Sequence, residues 1–182
     1  NVILDSGGGS KEFGSLSPNL RAVHGQSIDM GSVRETEMYL KGDPYTQTSL
    51  AKIHEALLTA WDQIHLDLQK ELRAKQWTGI AGTATTLAGL ALGLPSFNSN
   101  QIDGYRLSFI QVKRWLTDLS AHTNQERAAN PTIGKGRADI MVAGVVILST
   151  AMQYFGKSEI IVSSRGLRHG ILLEPPSASH DS

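Results

Sequence analysis

Two carboxylates, Asp5 and Glu12, flank the run Gly7-Gly8-Gly9-Ser10 near the start of the chain. Glycines let the backbone turn tightly and bring N–H groups close to a ligand with no Cβ in the way. Successive N–H groups in such a turn form a concave anion site. A carboxylate at each end suggests a metal ion, or a water, held beside a phosphate. Gly-Gly-Gly-Ser between apolar strands is also the composition of a plain hairpin or a flexible linker. A lone glycine run is weak evidence, so it is the flanking acids that favour a phosphate loop.

A second small-residue turn, Gly82-Thr83-Ala84-Thr85-Thr86, follows a strand at 77–81 and opens a helix that starts at 83 or 85 and runs to 92. The first N–H groups of a helix are free and carry partial positive charge, so a phosphate or ribose can sit there. Thr83, Thr85 and Thr86 offer hydroxyls; the competing reading is that Thr83 or Thr85 only caps the helix. His54 and His65 have no partner at i+3 or i+4, which argues against a metal role.

The elements that must position these residues follow from periodicity. Val2, Ile3 and Leu4 read as a short buried strand. Strands at 12–16 and 20–29, joined by Ser17-Pro18-Asn19, complete an antiparallel meander whose first turn is the glycine loop. A helix then starts at Gly31-Ser32, with Ser32 as cap, Glu35 as its capping-box partner, and Val33, Met38 and Leu40 as its apolar side. Leu50, Ile53, Leu57, Trp61, Ile64, Leu68 and Leu72 form one face of a single long helix over 48–75. Residues 98–104 read as a polar loop. Ser108 caps a helix over 109–121, and Thr123 with Glu126 caps a short one. An apolar helix covers 140–155, where Gly144 implies a close contact, and a buried strand covers 159–163. Ser163-Ser164-Arg165-Gly166 is a third small-residue turn, before a short helix over 167–173 and a disordered tail. Three such turns at the carboxyl ends of strands would make one phosphate-binding rim.

The totals bound the class. The 182 residues fit one domain, and 17 basic residues balance 17 acidic ones, so charge argues neither for nor against nucleic acid or membrane. There is no cysteine, which excludes disulfides and thiolate metal sites and fits a reducing, cytoplasmic setting. The most apolar window, 140–152, is shorter than the ~20 residues of a membrane span. The chain opens on Asn1 rather than methionine, with a strand at once, which reads as a piece of a longer protein.

Five separated stretches are similar to one family. Asp5-Ser6-Gly7-Gly8-Gly9-Ser10-Lys11-Glu12 resembles the Asp-Ile-Gly-Gly-Gly-Ser-Thr-Glu loop of the Ppx/GppA exopolyphosphatase and guanosine-pentaphosphate phosphohydrolase family. Gly31-Ser32-Val33-Arg34-Glu35-Thr36-Glu37 resembles its Gly-Ala/Ser-Val-Arg-Leu-Thr-Glu segment, and Gly82-Thr83-Ala84-Thr85-Thr86-Leu87 its Gly-Thr-x-Thr-Thr-Leu stretch. Arg137-Ala138-Asp139 and Ser163-Ser164-Arg165-Gly166-Leu167-Arg168-His169-Gly170 resemble its Arg-Ala-Asp and Ser-x-x-Gly-Leu-Arg-x-Gly signatures. The matches keep family order over residues 2–173. Ser6 and Glu35 depart from apolar residues and Lys11 from a threonine.

The resemblance implies an α/β, RNase-H-like domain of the actin/Hsp70/sugar-kinase superfamily: a mixed sheet with a three-stranded antiparallel start and helices packed on it. Residues 1–175 would be the C-terminal actin-like domain and 176–182 a tail. A similar domain is expected upstream, with the active site in the cleft between the two and this chain alone inactive. The implied function is a hydrolase releasing terminal orthophosphate from inorganic polyphosphate. The alternatives are removal of the 5′-phosphate of guanosine pentaphosphate, or a non-catalytic sensor of polyphosphate or nucleotide. Asp5 and Glu12 match the carboxylates that position the attacking water or Mg²⁺, and Gly7, Gly8 and Gly9 match the loop that holds phosphates. Ser10, Gly82 and Thr83 join the expected phosphate contacts. Arg34, Arg137, Arg165 and Arg168 are candidates for gripping a polyanion, since guanidinium pairs with phosphate in two-pronged fashion. Against that, Arg137 beside Asp139 could be a structural ion pair and Arg168 a solvated side chain. No nucleic-acid polymer and no membrane is expected as partner, and a homodimer is allowed.

Overall fold

The computed structural model describes residues 1–17 and 22–165. A six-stranded mixed sheet runs in the order β3-β2-β1-β4-β6-β5. Its first half is the expected meander: β1 (Val2–Ser6), β2 (Lys11–Leu16) and β3 (Ala22–Ile28), each antiparallel to the next. β4 (Trp77–Ile80) lies parallel to β1, and β6 (Glu159–Val162) parallel to β4, so these three strands end at the same edge. β5 (Arg106–Ser108) closes the far side against β6.

Period-two alternation decides which face is buried. Val2, Leu4, Phe13, Trp77, Ile160 and Val162 are buried, while Ile3, Thr78 and Ile161 between them are only half-buried. On the buried face Phe13 meets Trp61, Trp77 and Phe155 edge-on or tilted, at 5.6–6.0 Å between ring centroids. The helical layer centres on α8 (Met141–Tyr154), which touches α1 (Ser32–Tyr39), α2 (Gln47–Asp62), α4 (Gly82–Ala91) and α6 (Phe109–Ala121). Every residue of α8 from Met141 to Met152 is buried, as expected of a helix apolar all round. Gly144 has the close contact its cost implied: a Cβ there would collide with the Thr83 side chain of α4.

The structure departs from the sequence reading in five places. The long helix is two, α2 and α3 (Leu66–Ala74), broken at Gln63–His65. Gln26 of β3 accepts from the His65 N–H (3.0 Å) and donates to the Gln63 carbonyl (3.4 Å), taking backbone groups that a continuous helix would use. The apolar face runs through the break, with Trp61, Ile64 and Leu68 all buried, which is why periodicity alone reads one helix. At α1 the cap is Gly31 with no side-chain hydrogen bond, so the Ser32–Glu35 capping box does not form. That helix turns Ser32 and Glu35 inward and leaves Val33 and Met38 exposed, against the expected apolar side, of which only Leu40 at the C-cap is buried.

Residues 98–104 hold a short helix, α5 (Ser99–Ile102), capped by Asn98 and anchored by buried Ile102. β5 was not foreseen, because three residues carry no period. At α4, neither Thr83 nor Thr85 caps; the cap position is Ala81. Thr123 and Glu126 do form their box at α7 (Asn124–Ala129), as Ser108 does at α6 with Gln111. The third turn is described as far as Arg165. The helix at 167–173, Arg168 and the tail lie outside the described residues, as does the turn at 18–21.

Candidate active site

The β1–β2 register sets Asp5 directly opposite Glu12, so both half-buried carboxylates leave the same face of the sheet. Glu12 Oε1 accepts from the Ser10 hydroxyl and from the Ser27 hydroxyl of β3 (3.2 Å), which fix its orientation. Between the acids, the glycine turn is docked by its carbonyls. The Gly7 oxygen accepts from the Ser32 N–H (3.3 Å), and the Gly8 oxygen from Val33 (2.9 Å) and Arg34 (3.4 Å). The N-terminus of α1 is therefore occupied by the protein's own backbone. Gly31 permits the approach: a Cβ there would fall inside the Gly8 peptide.

Lys11 and Glu35 are both buried close to this turn. Burial pushes the Lys11 ammonium down to about 7, against the pull of Asp5, Glu12 and Glu35. Burial likewise raises the Glu35 carboxyl, opposed by Arg34 and Lys11. Among the described residues Glu35 Oε2 has no hydrogen-bond partner.

The second turn is built differently. Ala81 holds φ 73° and ψ −176°, a region that essentially only glycine visits, and no side chain caps α4. Thr85 donates its hydroxyl back to the Ala81 and Gly82 carbonyls (3.0 and 3.2 Å), and the Thr83 hydroxyl is turned toward Gly144. What the turn presents outward is backbone. Arg137 lies alongside, donating to the Thr86 hydroxyl (2.9 Å). A Cβ at Gly82 would stand only 3.5 Å from its guanidinium carbon. Gly7, Gly8, Ser32, Gly82, Thr83 and Arg137 enclose most of a cavity of about 190 Å³. Pockets for drug-sized ligands run to roughly 300–1,000 Å³, so this one has room for a smaller group. Asp5 and Glu12 do not line it; they stand at the same edge of the sheet, at the other end of the first turn.

The structure thus gathers Asp5, Glu12, Gly7, Gly8, Gly82, Thr83 and Arg137 at one edge. Gly9 is exposed, and Ser10 is engaged with Glu12. Arg34 is exposed on α1. Arg165 pairs with Asp103 (3.4 Å) beside Phe97 and Asn100, in a separate depression. His54 bonds Thr150 (3.0 Å), and His65 caps α3. Sequence reasoning missed Ser27, which strand alternation with a fixed register would have placed opposite Glu12. It also missed the buried Lys11 and Glu35, whose replacement of uncharged residues was the available signal.

Comparison with known proteins settles the family. The family model described as the Ppx/GppA phosphatase family matches residues 1–176. The chain belongs to that family. It is 30% identical over 180 residues to exopolyphosphatase 2 of Mycobacterium tuberculosis, covering 94% of this chain and 54% of that one. The solved Ppx/GppA phosphatase of Aquifex aeolicus superposes with a TM-score of 0.81 at 28% identity, over 94% of this chain and 55% of that one. An exopolyphosphatase structure from Cytophaga hutchinsonii gives 0.79 at 26% identity, over 94% and 55%. The expected actin-like α/β class is therefore borne out, and the chain spans about half the length of these relatives. Among the described residues no helix is long and apolar enough to cross a membrane.

Proposed function

We propose that the protein is an exopolyphosphatase, releasing terminal orthophosphate from inorganic polyphosphate, and that this chain forms one wall of a cleft completed by an upstream domain. The observation that carries this reading is the Asp5–Glu12 pair standing across a glycine turn, next to an uncapped helix end flanked by an arginine. The Mycobacterium tuberculosis relative is named an exopolyphosphatase, which favours polyphosphate as substrate.

Phosphoryl transfer to water needs placement and charge neutralisation more than covalent help. In this reading the α4 N-terminus and the Gly7–Gly8 turn hold a phosphate, and the Arg137 guanidinium balances its charge. Glu12, fixed by Ser10 and Ser27, orients or deprotonates the attacking water, with Asp5 beside it.

A hard divalent cation fits the donor set. Asp5 and Glu12 are oxygen ligands on one face, and Mg²⁺ is commonly held by one or two carboxylates with water and phosphate oxygens completing its shell. No group of three His, Cys, Asp or Glu residues occurs among the described residues, so Asp5 and Glu12 would be the protein's contribution. When bound, the ion would supply neutralisation of phosphate charge.

Phosphate release from the full-length protein with Mg²⁺ tests this, comparing long-chain polyphosphate with guanosine pentaphosphate. Polyphosphate is expected to be the better substrate. Faster release from guanosine pentaphosphate would move the assignment to the nucleotide. Hydrolysis of neither, with polyphosphate raising the melting temperature, would make the protein a sensor.

A further inference from the structure

Arg137 is exposed, and a long exposed side chain loses little by wandering. Its backbone, however, is gripped on the C-terminal side by two residues of other segments, Arg127 and Tyr45. Arg127 of α7 has a wholly buried side chain. Its Nε–H donates to the Ala138 carbonyl (2.9 Å), and Nη1 donates to the Leu119 (3.1 Å) and His122 carbonyls. Its Nη2 lies 3.7 Å from Asp43, with no hydrogen-bond partner among the described residues. The Tyr45 ring lies 4.8 Å from the Arg127 guanidinium carbon. The Tyr45 hydroxyl donates to the Asp139 carbonyl (3.1 Å). Asp43 in turn accepts from the Asn124 N–H (2.7 Å), joining the loop before α2 to the start of α7.

Both residues that follow Arg137 thus have their carbonyls held, one by Arg127 and one by Tyr45. The turn itself closes through the Arg137 N–H to the Gly134 carbonyl (3.3 Å) and the Ile140 N–H to the Arg137 carbonyl (3.2 Å). The guanidinium at its apex meets Thr86 and Gly82 at the end of α4.

We propose that Arg127 and Tyr45 are positioning residues for anion binding: a latch that fixes the backbone of Arg137 so that its guanidinium stands over the α4 end. The latch rests on the proposed function insofar as Arg137 is taken to meet phosphate. Neither latch residue lines the cavity, so each is argued to act through Arg137 rather than by direct contact there.

Tyr45→Phe is the incisive variant, because it keeps the ring against Arg127 and deletes only the hydroxyl. Arg127→Ala would strip a buried network and is expected to unfold the domain. In full-length protein, inorganic tripolyphosphate affinity of Tyr45→Phe should fall about three- to tenfold, the range of one neutral hydrogen bond. The melting temperature should fall by no more than the ~2–4 °C that one hydrogen bond is worth, and KM for polyphosphate should rise with kcat little changed. In an Arg137→Ala background the same substitution should have no further effect on tripolyphosphate affinity. Order parameters of the Arg137 Nε–H should fall in Tyr45→Phe, a readout that needs no turnover.

An equal loss of affinity in both backgrounds, or a fall in melting temperature with unchanged Arg137 order, would reduce Tyr45 to a structural residue and overturn the latch. Should the protein hydrolyse neither substrate, the functional assignment fails, while the tripolyphosphate cycle and the Arg137 order parameters still decide the latch.

Discussion

The two small-residue turns at the candidate site look alike in sequence and are built in opposite ways. The first, at Gly7–Gly9, is anchored by its carbonyls on the N-terminus of α1, so the dipole of that helix is used to hold the loop. The second, at Ala81–Gly82, has no side-chain cap, sits on a strained residue, and has an arginine alongside. The first is a docked bracket with a carboxylate on each side; the second is a helix end with free N–H groups beside a guanidinium. A glycine turn therefore does not by itself say whether helix dipoles face a ligand or the protein.

The sharpest way to break the contrast is a single methyl group at each turn. Gly31→Ala drives a Cβ into the Gly8 peptide and should cost about 3 kcal/mol or more in urea unfolding, since backbone on both sides leaves nothing to yield. Gly82→Ala meets only the Arg137 side chain at ordinary contact distance, so stability should stay within about 1 kcal/mol. Its effect should instead appear as weaker tripolyphosphate binding. Equal destabilisation by the two would erase the distinction.

The buried Lys11 separates the turns by pH. Its folded value, about 7, lies below the ordinary 10.5, so between these limits the unfolded chain binds more protons. Stability should therefore rise with pH across that window, by up to about 1.4 kcal/mol per unit from this one group, and be flat below it. Lys11→Met should remove its share of the slope in melting curves taken from pH 7 to 10, leaving the smaller rise that Lys157, also lowered by burial, contributes. The raised Glu35 carboxyl works in a lower window: its contribution is present below pH 4.5 and lost as pH rises through its folded value.

A smaller effect is expected where β3 supports the first turn. Ser27→Ala removes one of the two hydroxyls on Glu12 and should lower kcat about tenfold, the scale of a hydrogen bond to a charged group, with melting unchanged. The smallest belongs to the second turn. Ala81→Gly relieves a left-handed backbone and should raise stability by about 1 kcal/mol, ~2–4 °C in melting temperature.

Much of this was legible in the sequence, for identifiable reasons. Alternation and turn chemistry give the meander. Helix 140–155 is legible because apolar residues on all sides of a helix permit only burial, and the parallel order of β1, β4 and β6 follows from strand–helix alternation. What escaped depends on contacts distant in sequence. The break at Gln63–His65 is made by Gln26, which lies 39 residues before His65. The inward turn of Glu35 is set by docking of the glycine loop on α1 rather than by the helix's own pattern. At the site, the carboxylates and glycines were readable from type and spacing. The roles of Ser27, Thr86 and Arg127 were not, because each acts through a partner on another element.

The most direct measurement is phosphate release from polyphosphate by full-length Asp5→Asn and Glu12→Gln, alongside their melting curves. If the first turn is a catalytic bracket, each variant should lose at least ~10²–10³-fold in kcat while melting within a few degrees of wild type. Near-normal turnover in both variants would place the chemistry elsewhere and contradict the proposed site.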